Sequence, residues 1–269
     1  MKKSQIEILF FDVDGTLVPF GHTGPTQKTF EALSRAKDAG LKIIIATGRP
    51  RLTCTAVDSL QQAGLVDGYV TINGGICLVE DKVVYDRPMP QDMVRKMFGY
   101  CRDHNVPIVA VGAEKNEVCG ADNRFYNIFY GFIKVSPRLD EISYEEAMER
   151  TLYQATPFVT RDEERIFLNE IHADDSLRSA RWHPAFTDIC MADKGEGIDA
   201  ICRHFNIPIS ATAAFGDGGN DIPMLRHAAL SVAMGQAKDE IKAVADWIAP
   251  TCEEEGVSWA VNKILDDIS

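Results

Sequence analysis

Clustered basic residues are missing from this 269-residue chain. Its 28 Lys and Arg are outnumbered by 40 Asp and Glu, for a formal net charge of −12. A broad phosphate-backbone footprint needs cations gathered on one face, and the absence of any such run removes nucleic acid from the expected partners. No apolar stretch is long enough to span a bilayer, so no membrane partner is expected. Met1-Lys2-Lys3-Ser4-Gln5 runs straight into a strand pattern, with no separate apolar segment or small-residue cleavage site, and no signal peptide is read there. The seven cysteines (Cys54, Cys77, Cys101, Cys119, Cys190, Cys202 and Cys252) are scattered, with no paired spacing of a zinc or redox motif. Reduced, mostly buried thiols in a cytoplasmic protein account for them. An acidic protein that handles an anion must neutralise charge locally, with a metal ion or a few placed cations.

What is present is apolar material, 45% of the chain, enough for one large domain or two smaller ones. Ile6 to Phe11 reads as a strand, Phe30, Leu33 and Ala36 lie at helical spacing, and Leu41 to Ala46 is a β-branched strand. A helix is then read to about Ala63, followed by a third strand from Tyr69 to Ile72. This βαβαβ order implies a parallel sheet. Asn73-Gly74-Gly75 is a turn signal, after which Ile76 to Val79 and Val83 to Tyr85 form a hairpin. From about Pro90 to Ile189 helices and strands mix without strict alternation, as in an α+β insert, and from Lys194 the alternation returns. The fold class read is therefore α/β: a doubly wound parallel-sheet, Rossmann-like core (residues 1–82 and 190–269) interrupted by an inserted α+β cap domain (residues 83–189).

Three loops after core strands carry reactive groups. Ile8-Leu9-Phe10-Phe11 ends in Asp12-Val13-Asp14-Gly15-Thr16. An apolar run of this kind is a strand buried on both faces, and ligands of open α/β sheets lie at its C-terminal edge. Residues two apart on a strand face the same way, so Asp12 and Asp14 can address one site. Two carboxylates that close repel, and a divalent cation is the usual remedy. Thr47-Gly48-Arg49-Pro50, read as opening a helix, offers a hydroxyl and backbone N–H groups to a phosphate. Gly216-Asp217-Gly218-Gly219-Asn220-Asp221 places carboxylates and an amide among glycines that permit close approach. Lys194 adds a point positive charge. Each is alone an ordinary turn or cap; together, after strands of one sheet, they describe a site.

These segments resemble the four ordered motifs of the haloacid dehalogenase-like hydrolases: Asp12-Val13-Asp14-Gly15-Thr16, Thr47-Gly48-Arg49-Pro50, Lys194-Gly195 and Gly216-Asp217-Gly218-Gly219-Asn220-Asp221. Their order and spacing are similar to the Cof-type sugar phosphatases, with a type IIB cap after the third core strand. Val232-Ala233-Met234-Gly235-Gln236-Ala237 and Glu255-Gly256-Val257 agree as well. The resemblance implies a phosphoric monoester hydrolase acting on a small phosphorylated substrate, with Asp12 as the nucleophile that becomes an aspartyl phosphate. Asp14 would protonate the leaving oxygen and then activate water. Mg²⁺ would be held by the Asp12 carboxylate, the Asp14 backbone carbonyl and Asp217. Thr47, Gly48, Lys194 and Asn220 would surround the phosphoryl oxygens, with Asp221 and Arg49 supporting them from behind.

The alternatives are a phosphomannomutase-like phosphotransferase and a non-catalytic sugar-phosphate sensor. Dehalogenase chemistry is disfavoured because that branch lacks the second carboxylate, here Asp14. The cap is expected to close over the sheet edge and contact the leaving group. In it, Arg181-Trp182-His183-Pro184-Ala185-Phe186 carries groups that suit a sugar, a packed strand being the plainer account. Arg124, Tyr126 and Tyr130 share helical spacing and read as packing. A monomer or weak homo-oligomer is expected.

Overall fold

A computed structural model describes residues 6–133 and 139–268. The N-terminal residues Met1–Gln5 therefore lie outside the described residues. The chain divides into two compact units. One runs up to Asp86 and resumes at Asp193; the other is Arg87–Ala192.

The first unit contains β1 (Ile8–Phe11), α1 (Gln27–Asp38), β2 (Lys42–Ala46), α2 (Asp58–Gln62), β3 (Gly68–Thr71), β4 (Ile76–Val79) and β5 (Lys82–Asp86). The second contains α3 (Gln91–Asp103), β6 (Ile108–Val111), β7 (Asn116–Cys119), α4 (Asn123–Ile133), β8 (Asp140–Glu141), α5 (Tyr144–Met148), β9 (Gln154–Pro157), α6 (Arg161–Glu170), β10 (Arg178–His183) and β11 (Phe186–Cys190). The first unit then resumes with α7 (Lys194–Phe205), β12 (Thr212–Gly216), α8 (Ile222–His227), β13 (Leu230–Ala233), α9 (Asp239–Lys242), β14 (Trp247–Ile248) and α10 (Gly256–Ile268). Among the described residues no helix is long and apolar enough to cross a membrane.

The core sheet has the order β14-β13-β12-β1-β2-β3-β4-β5. It is parallel from β14 to β3, and the β4–β5 hairpin adds an antiparallel edge. Its two faces explain the apolar run in β1. Leu9 and Phe11 join Ile43, Ile45, Ala213 and Phe215 beneath α1 and α10. Ile8 and Phe10 join Ile44, Val70 and Ala214 beneath α7 and α8. Helices thus cover both faces, and every residue of β1 is buried. Helix α7 lies unusually close to the sheet: a Cβ at Gly197 would fall 2.3 Å from Val70 Cγ1, so the second glycine of Lys194-Gly-Glu-Gly permits that contact.

The second unit has its own six-stranded sheet, β10-β11-β9-β6-β7-β8. It is antiparallel except for the β7–β8 pair. One face, with Ile108, Ala110, Ala155 and Ile189, packs against Met93, Val94, Met97 and Phe98 of α3 and Phe167 of α6. Ser143 and Thr160 open α5 and α6 with capping boxes.

The unit boundaries lie slightly later than the sequence reading put them, after Asp86 rather than residue 82 and after Ala192 rather than residue 189. The reason is pairing: β5 is hydrogen-bonded to β4 in the core sheet, while β11 continues to Cys190 in the second. Arg181 is committed to structure. Its Nε and Nη2 donate to Glu164 Oε2 at 3.0 and 2.6 Å, and its Nη1 donates to the carbonyls of His183, Pro184 and Phe186. His183 stacks on Phe186, and burial lowers its pKa. The Trp182 side chain lies outside the described residues. Tyr126 and Tyr130 stack on each other at 5.8 Å and Arg124 lies over Phe158, as packing predicts.

Candidate active site

The sheet reverses its winding between β1 and β12: the chain steps outward through β2 and β3 on one side and through β13 and β14 on the other. Ligands of open α/β sheets collect at such a switch point, beyond the C-terminal strand ends. Asp12 follows β1 and Asp217 follows β12, so neighbouring strands deliver both carboxylates there.

Asp12 is still part of the ladder, its N–H donating to the Phe215 carbonyl at 3.0 Å. The chain then turns tightly, with Leu17 N–H on the Asp12 carbonyl and Val18 N–H on the Val13 carbonyl. Gly15 sits in this turn at φ +87°, where a Cβ would fall 2.4 Å from Asp217 Oδ2. A side chain there would be both strained and in the carboxylate's space. Thr16 Oγ1 donates to Asp217 Oδ1 at 3.0 Å.

Lys194, the first residue of α7, is fully buried. Its Nζ donates to Asp12 Oδ1 at 2.5 Å and to Asp221 Oδ1 at 2.6 Å. The other oxygen of Asp221 accepts the N–H groups of Asp217 and Gly218 at 2.9 and 2.8 Å. Asp221 therefore accepts three protein donors. Asp12 Oδ2 meets no protein donor among the described residues.

Asp12, Asp217 and Asp221 bring ligand oxygens within 4.8 Å of one another. Lys194 pairs with two of these three carboxylates, so the cluster is short of positive charge. Burial and neighbouring Asp221 push Asp217 up to about 7. Burial, then Asp221, raise Asp12 as well, against the pull of Lys194. Burial opposes the ammonium of Lys194, yet the two carboxylates beside it outweigh burial and hold its pKa above the ordinary lysine value. Burial leads the rise of the two carboxylates, and the crowding of carboxylates around Lys194 adds to it while holding the ammonium charged. A hard divalent cation with oxygen ligands fits this donor set. Asp221 already accepts three protein donors, Asp12 and Asp217 each keep an oxygen that accepts less, and no donor reaches the Asp14 carbonyl among the described residues.

The Asp14 carboxylate takes another course. It leaves the Asp12 cluster and pairs with Arg49, whose Nε donates to Oδ2 at 2.9 Å and whose Nη2 donates to Oδ1 at 2.6 Å. The strand alternation that would align the two Asp side chains ends at Phe11. Both partners are more than a third exposed, so the pair contributes about 0–1 kcal/mol and opens at little cost.

The loop after β2 differs from its sequence reading. No helix starts at Thr47-Gly48-Arg49-Pro50. Two single 3-10 turns, Arg51–Thr53 and Thr55–Val57, precede α2. Pro50 holds an extended ψ of 149°, and β-branched Thr53, Thr55 and Val57 disfavour an α-helix. The loop offers individual donors rather than a helix terminus. Thr47 is buried and its Oγ1 accepts the Arg49 N–H at 3.1 Å, which leaves the hydroxyl proton for another acceptor. In the loop after β12 the N–H groups of Asp217 and Gly218 are spent on Asp221. Asn220 lies there with its Nδ2 donating to Asn73 Oδ1 at 3.0 Å.

Thr16, Asn73 and Gln236 are the parts that sequence reasoning missed. Asn73 was legible only as a turn signal. Gln236 donates to the Gly15 carbonyl and accepts the Cys252 N–H; it lies in a segment noted only for its agreement with a motif. Cys54, near Arg49, has its thiol pushed up to about 12 by burial and is no competing nucleophile.

Comparison with known proteins assigns the chain to a family. The profile of the haloacid dehalogenase-like hydrolases matches residues 9–261. The solved structure of the HAD subclass IIB sugar phosphatase BT4131 is 43% identical, over 96% of this chain and 98% of that one, with a TM-score of 0.87. YkrA of Bacillus subtilis, a phosphatase candidate by its name, is 28% identical over 263 residues, covering 96% of this chain and 97% of its own. The 5-amino-6-(5-phospho-D-ribitylamino)uracil phosphatase YitU of Bacillus subtilis is 26% identical over 263 residues, covering 93% and 94%. With the family profile matched over residues 9–261, the chain belongs to the haloacid dehalogenase-like hydrolases.

Proposed function

We propose that this protein is a Mg²⁺-dependent phosphatase that hydrolyses small sugar-phosphate monoesters through an aspartyl phosphate on Asp12. The observation that carries the reading is the asymmetry of Asp12. One oxygen is held by the buried Lys194 ammonium and the other faces no protein donor among the described residues. A carboxylate oriented in this way presents one oxygen for attack on phosphorus. Covalent catalysis then divides a hard displacement into two easier ones.

Lys194, the Thr47 hydroxyl, the Gly48 N–H and the Asn220 amide would bind the non-bridging phosphoryl oxygens, where preplaced charge and donors do most of the work. Asp14 would protonate the leaving oxygen and then draw a proton from the water that attacks the acyl phosphate. Its pair with Arg49 must first open, and the exposure of that pair keeps the cost small. Asp12, Asp217 and the Asp14 carbonyl would hold Mg²⁺, which supplies charge neutralisation at the phosphoryl group. Asp221 would orient Lys194 and the loop carrying Asp217.

The sugar-phosphate class is supported by likeness to the subclass IIB sugar phosphatase. The seven cysteines, all buried, support a reducing, cytoplasmic setting. The chain is taken to act as a monomer or weak homo-oligomer.

The test is phosphate release from a panel of sugar phosphates, with and without Mg²⁺, for wild type, Asp12→Asn and Asp14→Asn. Metal-dependent release lost in both variants is expected. Full turnover by Asp12→Asn overturns its role as nucleophile, and full turnover by Asp14→Asn overturns the assigned acid–base role.

A further inference from the structure

We propose that Asn73 is a positioning residue that holds the Asn220 amide and the Thr47–Gly48 backbone in a single phosphoryl-binding arrangement. The inference rests on the phosphatase reading for the role of Asn220. Its own evidence is a strained turn.

Beyond β3 three successive residues are left-handed: Ile72 at φ +52°, Asn73 at +51° and Gly74 at +96°. A β-branched residue in that region is a genuine outlier, and such conformations persist where surrounding contacts over-determine them, commonly at functional sites. The contacts are specific. Ile72, fully buried, donates its N–H to the Arg49 carbonyl at 3.2 Å. Asn73 donates its N–H to the Thr47 carbonyl at 3.1 Å. Gly74 lies against the Asp193 carbonyl, where a Cβ would fall 2.1 Å away, directly before Lys194. One turn thus touches the Thr47–Arg49 loop and the start of α7.

The Asn73 side chain adds a third loop. It is buried, and its Oδ1 accepts Asn220 Nδ2 at 3.0 Å across 147 residues of sequence. It also lies against Gly48, whose Cβ position is 3.2 Å from Oδ1. A residue needed only for its tolerance of left-handed φ has no call for that bond; an exposed Asn or a Gly would serve. An amide carries two N–H groups. Giving one to Asn73 fixes the plane of the Asn220 amide and so the direction of the other. Asn73 therefore preorganises a donor it does not itself supply.

The test uses Asn73→Gly, which keeps the left-handed φ without a steric penalty, Asn73→Asp, which keeps an acceptor oxygen, and Asn220→Ala. Two readouts are taken with Mg²⁺ present: steady-state hydrolysis of a sugar phosphate, and affinity for inorganic phosphate by calorimetry. Asn73→Gly is expected to lose about tenfold in kcat/KM and in phosphate affinity, with its melting temperature held or raised. The same change in the Asn220→Ala background should cost less than about twofold, because coupled residues are not additive. Asn73→Asp should recover most of kcat while raising KM, since its added charge repels phosphate.

Additive losses, or an Asn73→Gly variant as active as wild type, overturn the inference. A wild-type protein that fails to hydrolyse the panel but shows coupled phosphate binding leaves Asn73 in place and overturns the phosphatase reading. A wild type that neither hydrolyses the panel nor binds phosphate overturns both.

Discussion

Two cations, one in each unit, show what separates a charge kept for chemistry from one kept for the fold. Lys194 is fully buried between Asp12 and Asp221, with Asp217 beside them, so its neighbourhood holds more carboxylate than it can neutralise. Arg181 is partly buried, and it meets one carboxylate, Glu164, and spends its remaining donors on three carbonyls of its own hairpin. The first setting is unbalanced and calls for a cation and an anionic ligand; the second is closed. The sign of the charge does not distinguish them. The local sum of charge and satisfied donors does.

The largest effect that would sharpen this contrast is on turnover. Asp12→Asn is expected to lose at least about 10³-fold in kcat, measured by phosphate release. It should also unfold at no lower temperature in chelator, because it removes one carboxylate from a surplus. Marked destabilisation without metal would mean that the cluster is balanced after all. Lys194→Met is expected to abolish turnover and to cost about 3–5 kcal/mol in urea denaturation, since it strands buried carboxylates. Arg181→Met should cost about 1–3 kcal/mol by unpairing Glu164. It should leave hydrolysis of a minimal aryl phosphate within about twofold. If Arg181→Met lost turnover as Lys194→Met does, the contrast would collapse.

A third prediction concerns Gly15, where an alanine Cβ would intrude on Asp217. Gly15→Ala should raise the Mg²⁺ concentration for half-maximal activity by about 10- to 100-fold while saturating metal restores most of kcat. An unchanged metal requirement would show that Asp217 takes no part in holding the ion.

The smallest expected effect is on pH. Asp217 stands at about 7 in the folded chain against an ordinary 3.8. A carboxylate raised in the folded state keeps its proton longer there than in the unfolded chain. The stability it contributes is present below the unfolded value and lost as pH rises through the folded one. Without metal, stability should therefore fall between about pH 4 and pH 7, and millimolar Mg²⁺ should offset the loss. The Mg²⁺-induced rise in melting temperature is expected to be a few degrees larger at about pH 8 than at about pH 5. A larger shift at the lower pH would overturn this account.

Much of the core was legible before any coordinates. Ile8-Leu9-Phe10-Phe11 reads as a strand buried on both faces because it has no polar alternation, and the structure buries it between two helical layers. The β4–β5 hairpin follows from a turn between two apolar runs. The stretch after Pro50 was less legible. Its proline and β-branched residues compete with an otherwise helical pattern, and 3-10 turns result. Arg181 was equally ambiguous, since a cation beside an indole and an imidazole has the same composition whether it binds a sugar or ties a hairpin.

The site divides along the same line. The sequence alone determined which residues stand at the strand ends and at the start of α7: Asp12, Thr47 and Asp217 follow runs whose strand character is local, and Lys194 opens a helix, each set by side-chain pattern over a few residues. Tertiary structure alone decided how they are shared. Asp14 turns to Arg49 rather than to Asp12, Asp221 closes on Lys194 and two N–H groups, and Asn73 reaches Asn220 across 147 residues. Those choices depend on which loops meet at the β1–β12 switch point. A hydrogen bond or ion pair is governed by distances of a few ångström, which separation along the chain does not encode.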